Sequence, residues 1–474
     1  ALVLTILIVP ATIFLIESSL HETNFDGSFG AFTYRYYLEL FDNDRFLTNL
    51  SNATIYATGS AAVAITLGVT QAWIVERTNT PGRQLVFIIS IISLGIPSVL
   101  YTISFLLLLG NTGPLNQSLM WLTGSATPLF NIYSLTGMII IEGIEFAPLA
   151  FLLLSSVFRS NDAAFEEASM MSGAGVMTTF RRITLKLAMP GILALLILIF
   201  IRAFESFETP ALVGRPGGVS VLTTDIYSAV QLEIPANYGQ AGAFSVMLLI
   251  IVVGLLYWYS RLSRHAEKFQ TITGKGFRPR VMDLGRGRWL TSGLLVLLFM
   301  IIIGFPIGIV LWVSMVPYYD GVHSGALKLM SLAHYKTVIH GGMFQDTLVN
   351  TLVLGAACAS IVAPFTALCS WLAVRRQRGG QLLDQLASAP LIFPAIVMGV
   401  AFLQLFLQVP LLYGTLLSII IASMVRYMPY GMRYSYAGIL QIHRELEEAS
   451  GLSGARQSTT FLRIVMPLVA PAMM

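Results

Sequence analysis

The sequence predicts an all-α polytopic membrane protein built from two parallel repeats, the second truncated. Three observations carry that prediction. Of 474 residues, 55% are apolar and only 11% charged, with a mean hydropathy of +0.75, a balance that belongs to chains threaded through lipid. Apolar runs long enough to cross a bilayer recur along the whole length. One segment also occurs twice: E-E-A-S-M-M-S-G-A-G-V-M-T-T-F-R-R-I from Glu166 to Ile183, and E-E-A-S-G-L-S-G-A-R-Q-S-T-T-F-L-R-I from Glu447 to Ile464. The copies lie 281 positions apart and are identical at 12 of 18 positions.

Taken in order, the first apolar run covers 1–17 and is slightly short of the roughly 20 residues a span needs. The chain begins without methionine and stops at Met474, just past the second copy, whereas two further spans follow the first copy. Both ends are therefore expected to be missing from a longer chain. Spans follow near 53–75, 85–109, 130–157, 188–206 and 241–260, and a second set near 290–316, 348–374, 384–409 and 411–440, with a stub after 466. Asn52 to Arg77 pairs with Asn350 to Arg375, Trp73 with Trp371, at a shift of 298; Pro148 pairs with Pro429 at 281. The first repeat thus holds 17 extra residues, which belong in the Gly, Pro, Asn and Ser rich hairpin of 110–128.

Lysine and arginine set the orientation. Arg77, Arg83, Arg159, Arg181, Arg182 and Lys186, the basic residues from Arg261 to Arg288, Arg375, Arg376 and Arg378, and Arg444, Arg456 and Arg463 fall on one side, 20 of 28 in all. That side is expected to be cytoplasmic. Six spans separate the two copies, an even number, so both copies face it and the repeats are parallel.

Each copy reads as a short helix stopped by glycine, Gly173 or Gly454. Phe165, Ala168 and Met171, like Leu446, Ala449 and Leu452, recur every third residue and make a narrow apolar stripe opposite the paired glutamates. A helix carrying arginine then resumes. The pattern of glutamate, alanine and small residue, then glycine, then I-x-x-P resembles the coupling loop of binding-protein-dependent ABC importer permeases. The second copy completes it with Ile464, Val465, Met466 and Pro467; the first has Lys186 where the proline is expected, its next proline being Pro190.

The stretches E-S-F-E-T-P-A-L-V-G and R-Y-M-P-Y-G-M-R-Y look like the fused, two-repeat permeases of the ferric-iron type, and this resemblance covers essentially the whole chain. It implies two six-helix ABC importer permease repeats. The first would be 1–260, with its coupling loop at 163–187. A basic cytoplasmic linker would fill 261–289, and the second repeat 290–474, with its coupling loop at 444–467 and its last two spans missing. It further implies that Glu166, Glu167, Ala168 and Gly173, with Glu447, Glu448, Ala449 and Gly454, engage an ATPase. The partners implied are two copies of a cytoplasmic ABC ATPase that hold ATP and Mg, and a periplasmic substrate-binding protein, about a permease in the bacterial inner membrane. The substrate implied is ferric iron, with thiamine, polyamine, sulfate or phosphonate as alternatives carried by similar permeases.

The residues themselves exclude other classes. In the linker, T-G-K-G fails the phosphate-loop pattern, because Phe269 stands at the required glycine and Gly276 at the Ser/Thr position. This chain is therefore expected to bind no cofactor or nucleotide, to catalyse no reaction and to leave hydrolysis to its partner. Nothing points to nucleic acid. Cys358 and Cys369 share one apolar span as inert packing residues, and the scattered His21, His323, His334 and His340 make no metal site.

The charges inside the spans are the remaining candidates. Glu142 and Glu145 share one helix face, and each costs about 2.5–3.5 kcal/mol at mid-membrane, so both should face the bundle interior or water. Arg426 stands at the duplicated position of Glu145, with Arg433 further along. One reading is a buried ion pair that fixes packing; the other is a translocation path whose carboxylates suit a hard cation, or whose arginines suit an anion. Arg202, Glu205 and Glu208 cluster where the fifth span reaches the outer face, read either as a solvated helix end or, by resemblance, as part of the outer gate. A proton-driven secondary transporter and a membrane scaffold are the competing classes.

Overall fold

The computed structural model describes residues 2–24, 28–42, 44–162, 164–266, 281–319, 321–322, 325–375 and 379–473. The linker tripeptide Gly274 to Gly276, Arg376, Arg378 and His323 lie outside the described residues. In chain order the helices are α1 (Leu2–Ser19), α2 (Arg35–Asp42), α3 (Asp44–Arg77), α4 (Leu85–Leu94), α5 (Ser98–Leu109), α6 (Pro114–Thr123), α7 (Leu135–Ser160), α8 (Ala164–Met171), α9 (Val176–Thr179), α10 (Leu185–Phe204) and α11 (Leu222–Gln231). They continue as α12 (Tyr238–Ala266), α13 (Gly287–Phe299), α14 (Phe305–Met315), α15 (Ala333–His340), α16 (Gly342–Arg375), α17 (Gly380–Ser388), α18 (Ala395–Leu407), α19 (Leu416–Leu440), α20 (Glu445–Leu452), α21 (Gln457–Thr460) and α22 (Met466–Met473). One small hairpin, β1 (His21–Thr23) against β2 (Phe29–Phe32), is antiparallel. Among the described residues eight helical segments are long and apolar enough to cross a membrane.

Most apolar runs became the expected spans, and two of them broke. The run 85–109 divides into α4 and α5 around Gly95 to Pro97. Its counterpart divides between Ile392 and Ala395, where the chain bends by 102°. Proline explains both breaks: Pro97 and Pro394 donate no amide and force the preceding residue toward extended backbone, as Phe393 shows with φ −86° and ψ 121°. The 17 extra residues form α6 and its flanks. Asn116 is buried there and ties the hairpin shut, donating to the carbonyls of Leu109 (2.6 Å) and Phe130 (2.8 Å) while accepting from the Phe130 amide (3.1 Å).

The framework is a pair of long helices in each half. α3 and α16 both run 34 residues. α7 packs along α3, and α19 along α16. Both shorter helices are capped by a hydroxyl on the third amide beyond it, Ser134 on Gly137 (3.1 Å) and Thr415 on Ser418 (3.3 Å), and both carry a proline, Pro148 or Pro429. Small residues let the backbones approach: Ala53, Ala57, Ala61, Ala64, Gly68 and Ala72 form one buried face of α3. At one such point a Cβ added to Gly68 would sit 2.6 Å from the Cβ of Ala150. In the second half the duplicated pair is Thr366 and Gly431, and a Cβ on Gly431 would sit 2.7 Å from the Thr366 hydroxyl. The same tight crossing is kept with the glycine moved to the other helix.

By contacts the chain forms two compact units, Ala1–Asp42 with Asp225–Val253 and Val338–Met474, and Asn43–Thr224 with Gly254–Thr337. In the first, Leu4 of α1 packs with Cys369, Ala387, Met428 and Met432. Ser18 donates to Gln404 Oε1 (2.8 Å), whose amide donates to the Tyr238 carbonyl (3.2 Å). In the second, α3, α7 and α10 share a core around Ala64, Trp73, Phe151, Leu154 and Ile192.

Because overpacking costs about 1–3 kcal/mol, Gly68→Thr alone is expected to destabilise the protein by that amount in chemical unfolding. Adding Ala150→Gly, which reproduces the second-half arrangement, is expected to restore most of the loss.

Candidate functional site

Each duplicated loop is fastened by the last residue of the long helix before it. Arg77 ends α3 and is fully buried; its Nε lies 3.1 and 3.0 Å from the two carboxylate oxygens of Glu166, and its Nη2 donates to the Asn161 carbonyl at 3.0 Å. Arg375 ends α16 and does the same: Nε to Glu447 at 2.8 Å, Nη2 to the Ile442 carbonyl at 2.9 Å. Ile442 and Asn161 are themselves 281 positions apart. The second clamp has a further donor, Trp371 Nε1 on Glu447 at 2.9 Å. In the first, Trp73 Nε1 and Arg77 Nη1 are buried without a hydrogen bond.

The tips beyond the clamps also coincide. α8 and α20 are each eight residues long and are followed by a left-handed glycine, Gly173 (φ +86°) or Gly454 (φ +77°). An added Cβ would meet nothing at either glycine, so backbone angle rather than space demands the residue. The hydroxyls of Ser169 and Thr179 lie 3.0 Å apart, those of Ser450 and Thr460 2.9 Å apart. Phe180 packs on Trp73 and Phe461 on Trp371, with ring centres 4.8 and 5.3 Å apart. Both tips rejoin a span through one π-helical turn, Phe180–Thr184 or Phe461–Val465. The turn forms with Lys186 as with Pro467 beyond it, so the missing proline leaves the first loop unchanged and the turn has another cause than proline.

The paired glutamates divide. Glu166 is buried and Glu447 mostly so, each spent on its arginine. Glu167 is half-buried and Glu448 exposed. Ala168 and Ala449 are exposed as well, and so is the apolar stripe, with Met171 89% and Leu452 90% accessible and Phe165 and Leu446 about half. The sequence assigned Arg77 and Arg375 to orientation and to the register of the duplication, and Trp73 and Trp371 to that register alone. Their signal was that they repeat at the 298 shift while their partners repeat at 281.

The buried carboxylates are a second locus. Glu142 on α7, about 10 Å along from the helix start at 1.5 Å per residue, is 3% exposed and faces the hydroxyls of Tyr56, Thr209 and Ser206. Glu145 accepts from the Ser98 hydroxyl, and its Oε2 is buried without a partner. Glu208 is the next carboxylate to both. The segment around Glu208 is held by Thr209 on Thr102 (3.0 Å) and by Thr223 donating to the Ser206 carbonyl (2.8 Å). Arg202 pairs with Glu205 at 2.8 Å. Arg426 donates to the Phe393 carbonyl (3.3 Å) at the proline break, and Arg433 is exposed. Among the described residues no group of three His, Cys, Asp or Glu side chains is arranged to hold a metal ion.

Residues 64–262 and 355–474 match the model of the binding-protein-dependent transport system inner membrane component family. The chain belongs to that family. Both matched stretches contain one clamped loop, so the duplication is a duplication of the family's domain. Among curated members, the chain is 28% identical over 408 residues to the ferric transport system permease protein FbpB of Actinobacillus pleuropneumoniae, covering 85% of this chain and 57% of that protein. It is 28% identical over 414 residues to the putative ferric transport system permease protein FbpB 1 of Haemophilus influenzae, covering 85% and 62%. It is 27% identical over 260 residues to the putative 2-aminoethylphosphonate transport system permease protein PhnU of Salmonella typhimurium, covering 53% and 88%. The chain thus spans about 60% of the length of the ferric relatives it matches.

Removing one member of a buried ion pair strands the other, so Arg77→Ala is expected to cost about 3–5 kcal/mol in unfolding experiments. The double change Arg77→Met with Glu166→Met, which strands no charge, is expected to recover most of it. Arg375→Ala should cost less than Arg77→Ala, because Arg375 and Glu447 keep 16% and 14% of their surface in solvent.

Proposed function

We propose that this chain is the membrane-spanning permease of an ATP-driven ABC importer of the bacterial inner membrane, with both duplicated loops on the cytoplasmic side. One observation carries the reading: two loops of the same geometry, each clamped to a long helix, each present an acidic residue and an apolar stripe outward from the bundle. Such a surface suits a partner that pushes on both loops at once. Two copies of a cytoplasmic ATPase would dock on Glu167, Ala168 and Met171 and on Glu448, Ala449 and Leu452, while a periplasmic binding protein delivers cargo on the opposite side. ATP closure would then move the clamped loops as levers, since packed helices shift as rigid bodies.

For the cargo we favour ferric iron. The ferric permeases matched over 85% of the chain support it, as do the oxygen-rich surroundings of Glu142 and Glu145, which suit a hard cation in transit. The phosphonate relative matches about half of the chain; an anionic cargo would shift the role to Arg426 and Arg433. A secondary transporter that moves protons through Glu142 and Glu145 would need no partner, and the two outward stripes would then have no occupant.

Replacing Glu167 and Glu448 together by lysine is expected to abolish co-purification of the ATPase while the permease remains in the membrane; retained co-purification contradicts the docking. In the reconstituted complex, ferric-loaded binding protein is expected to stimulate ATP hydrolysis, and Glu142→Gln with Glu145→Gln to remove iron uptake. Stimulation by a phosphonate-loaded protein instead would keep the importer and discard iron.

A further inference from the structure

The turn before α4 and the start of α13 are joined by a dense polar seam. The Asn79 amide donates to the Met282 carbonyl (3.2 Å) and the Met282 amide to the Arg77 carbonyl (2.8 Å). The Asn79 side chain accepts from the Leu284 amide at 3.1 Å and donates to Asp283. Thr80 and Thr291 share a 2.7 Å hydroxyl contact, and the Ser292 hydroxyl donates to the Pro81 carbonyl at 3.3 Å. Beyond this seam α4 and α13 part and leave a groove of about 360 Å3 between Leu85, Ile88 and Ile89 on one side and Leu295, Val296 and Phe299 on the other. Its outer lips are wide open: Leu85, Ile88 and Val296 are more than half exposed.

Three guanidiniums stand at the seam end of this groove. Arg83 follows the lining residue Gly82, and its guanidinium donates to the Thr78 carbonyl at the seam. Arg288 precedes Ser292 by four residues and Leu295 by seven, which puts it on the groove face of α13, and its guanidinium stacks 5.6 Å from the Trp289 ring. Arg286 is exposed immediately before the helix. The acidic neighbour is Asp283, whose carboxyl is held below the usual range by the Gly285 amide, Asn79 and Arg288. Among the described residues, three cations against one anion leave the mouth basic, above an apolar slot whose lips are exposed.

We propose that this groove is a binding site for one anionic phospholipid of the cytoplasmic leaflet. Its phosphate lies among Arg83, Arg286 and Arg288, and an acyl chain lies along α4 and α13. Guanidinium forks match phosphate oxygens, basic residues at this level attract anionic headgroups, and an exposed tryptophan beside them sits where aromatic rings anchor at the interface. The leaflet assignment rests on the orientation proposed above; the lipid chemistry does not.

The test uses the full chain in nanodiscs of mixed phosphatidylglycerol and phosphatidylcholine, followed by mild detergent extraction and quantification of the lipid retained. Phosphatidylglycerol is expected to be enriched over its share of the bilayer. Arg83→Gln, Arg286→Gln and Arg288→Gln together are expected to lower that enrichment by about fivefold or more, in keeping with the attraction of even one arginine to a charged surface. Val296→Trp, which fills the slot and leaves the arginines intact, is expected to lower it as well. Absence of enrichment in the unmodified protein, or enrichment that survives either variant, overturns the proposal; a peptide or protein retained in place of lipid does so too. The assay needs no ATP, cargo or binding protein, so its failure is distinct from failure of the importer reading.

Discussion

A guanidinium and a carboxylate buried together hold each duplicated loop to the framework. Arg77 and Glu166 in one half, Arg375 and Glu447 in the other, are removed largely from water and bound to each other and to one nearby carbonyl, with Trp371 as a further donor in the second half. Such a pair is weak evidence of added stability, because desolvation offsets most of its attraction. What it fixes is geometry. A partner atom displaced by an ångström strands a buried charge, so the loop has one orientation relative to its long helix. The left-handed glycine, the serine–threonine contact and the tryptophan–phenylalanine contact then propagate that orientation to the exposed stripe.

The clamp matters only if the helix it grips is rigid. α3 and α7 in one half, and α16 and α19 in the other, cross so closely that one partner must lack a Cβ, and evolution of the two halves has placed that glycine on opposite helices. Proline breaks concentrate bending elsewhere, between α4 and α5 and between α17 and α18. Irregular backbone at membrane depth is tolerated where protein can satisfy it, and the Arg426 contact to the Phe393 carbonyl is such a case. The same logic applies to Glu142, whose neighbours are hydroxyls from other segments.

Much of this was legible beforehand. Hydropathy placed almost every span, and the two shifts of the duplication located the extra hairpin where α6 stands, because both signals are sums over many residues. The two duplicated loops were visible from the repeat alone; the coupling role rests on the family resemblance. The division between Glu166 and Glu167 was not: neighbouring identical residues differ only in which side of one helical turn meets an arginine from another segment. The broken spans were missed because a hydropathy run cannot see a missing amide at Pro97 or Pro394. The pairing of Gly68 with Ala150 needed the register between helices, which no single helix encodes. The partners of Glu145 were open for the same reason; within its unit it found Ser98 rather than a cation.

The central claim is that each loop moves as one body with the long helix that clamps it. Spin labels at Thr66, on the exposed side of α3, and Met171, at the tip of α8, would measure it in the complex with the proposed ATPase. Between nucleotide-free and ATP-bound states the 66–171 distance should stay constant while the distance between labels at Met171 and Leu452 changes. A 66–171 distance that changes as much as the distance between the loops would contradict the account.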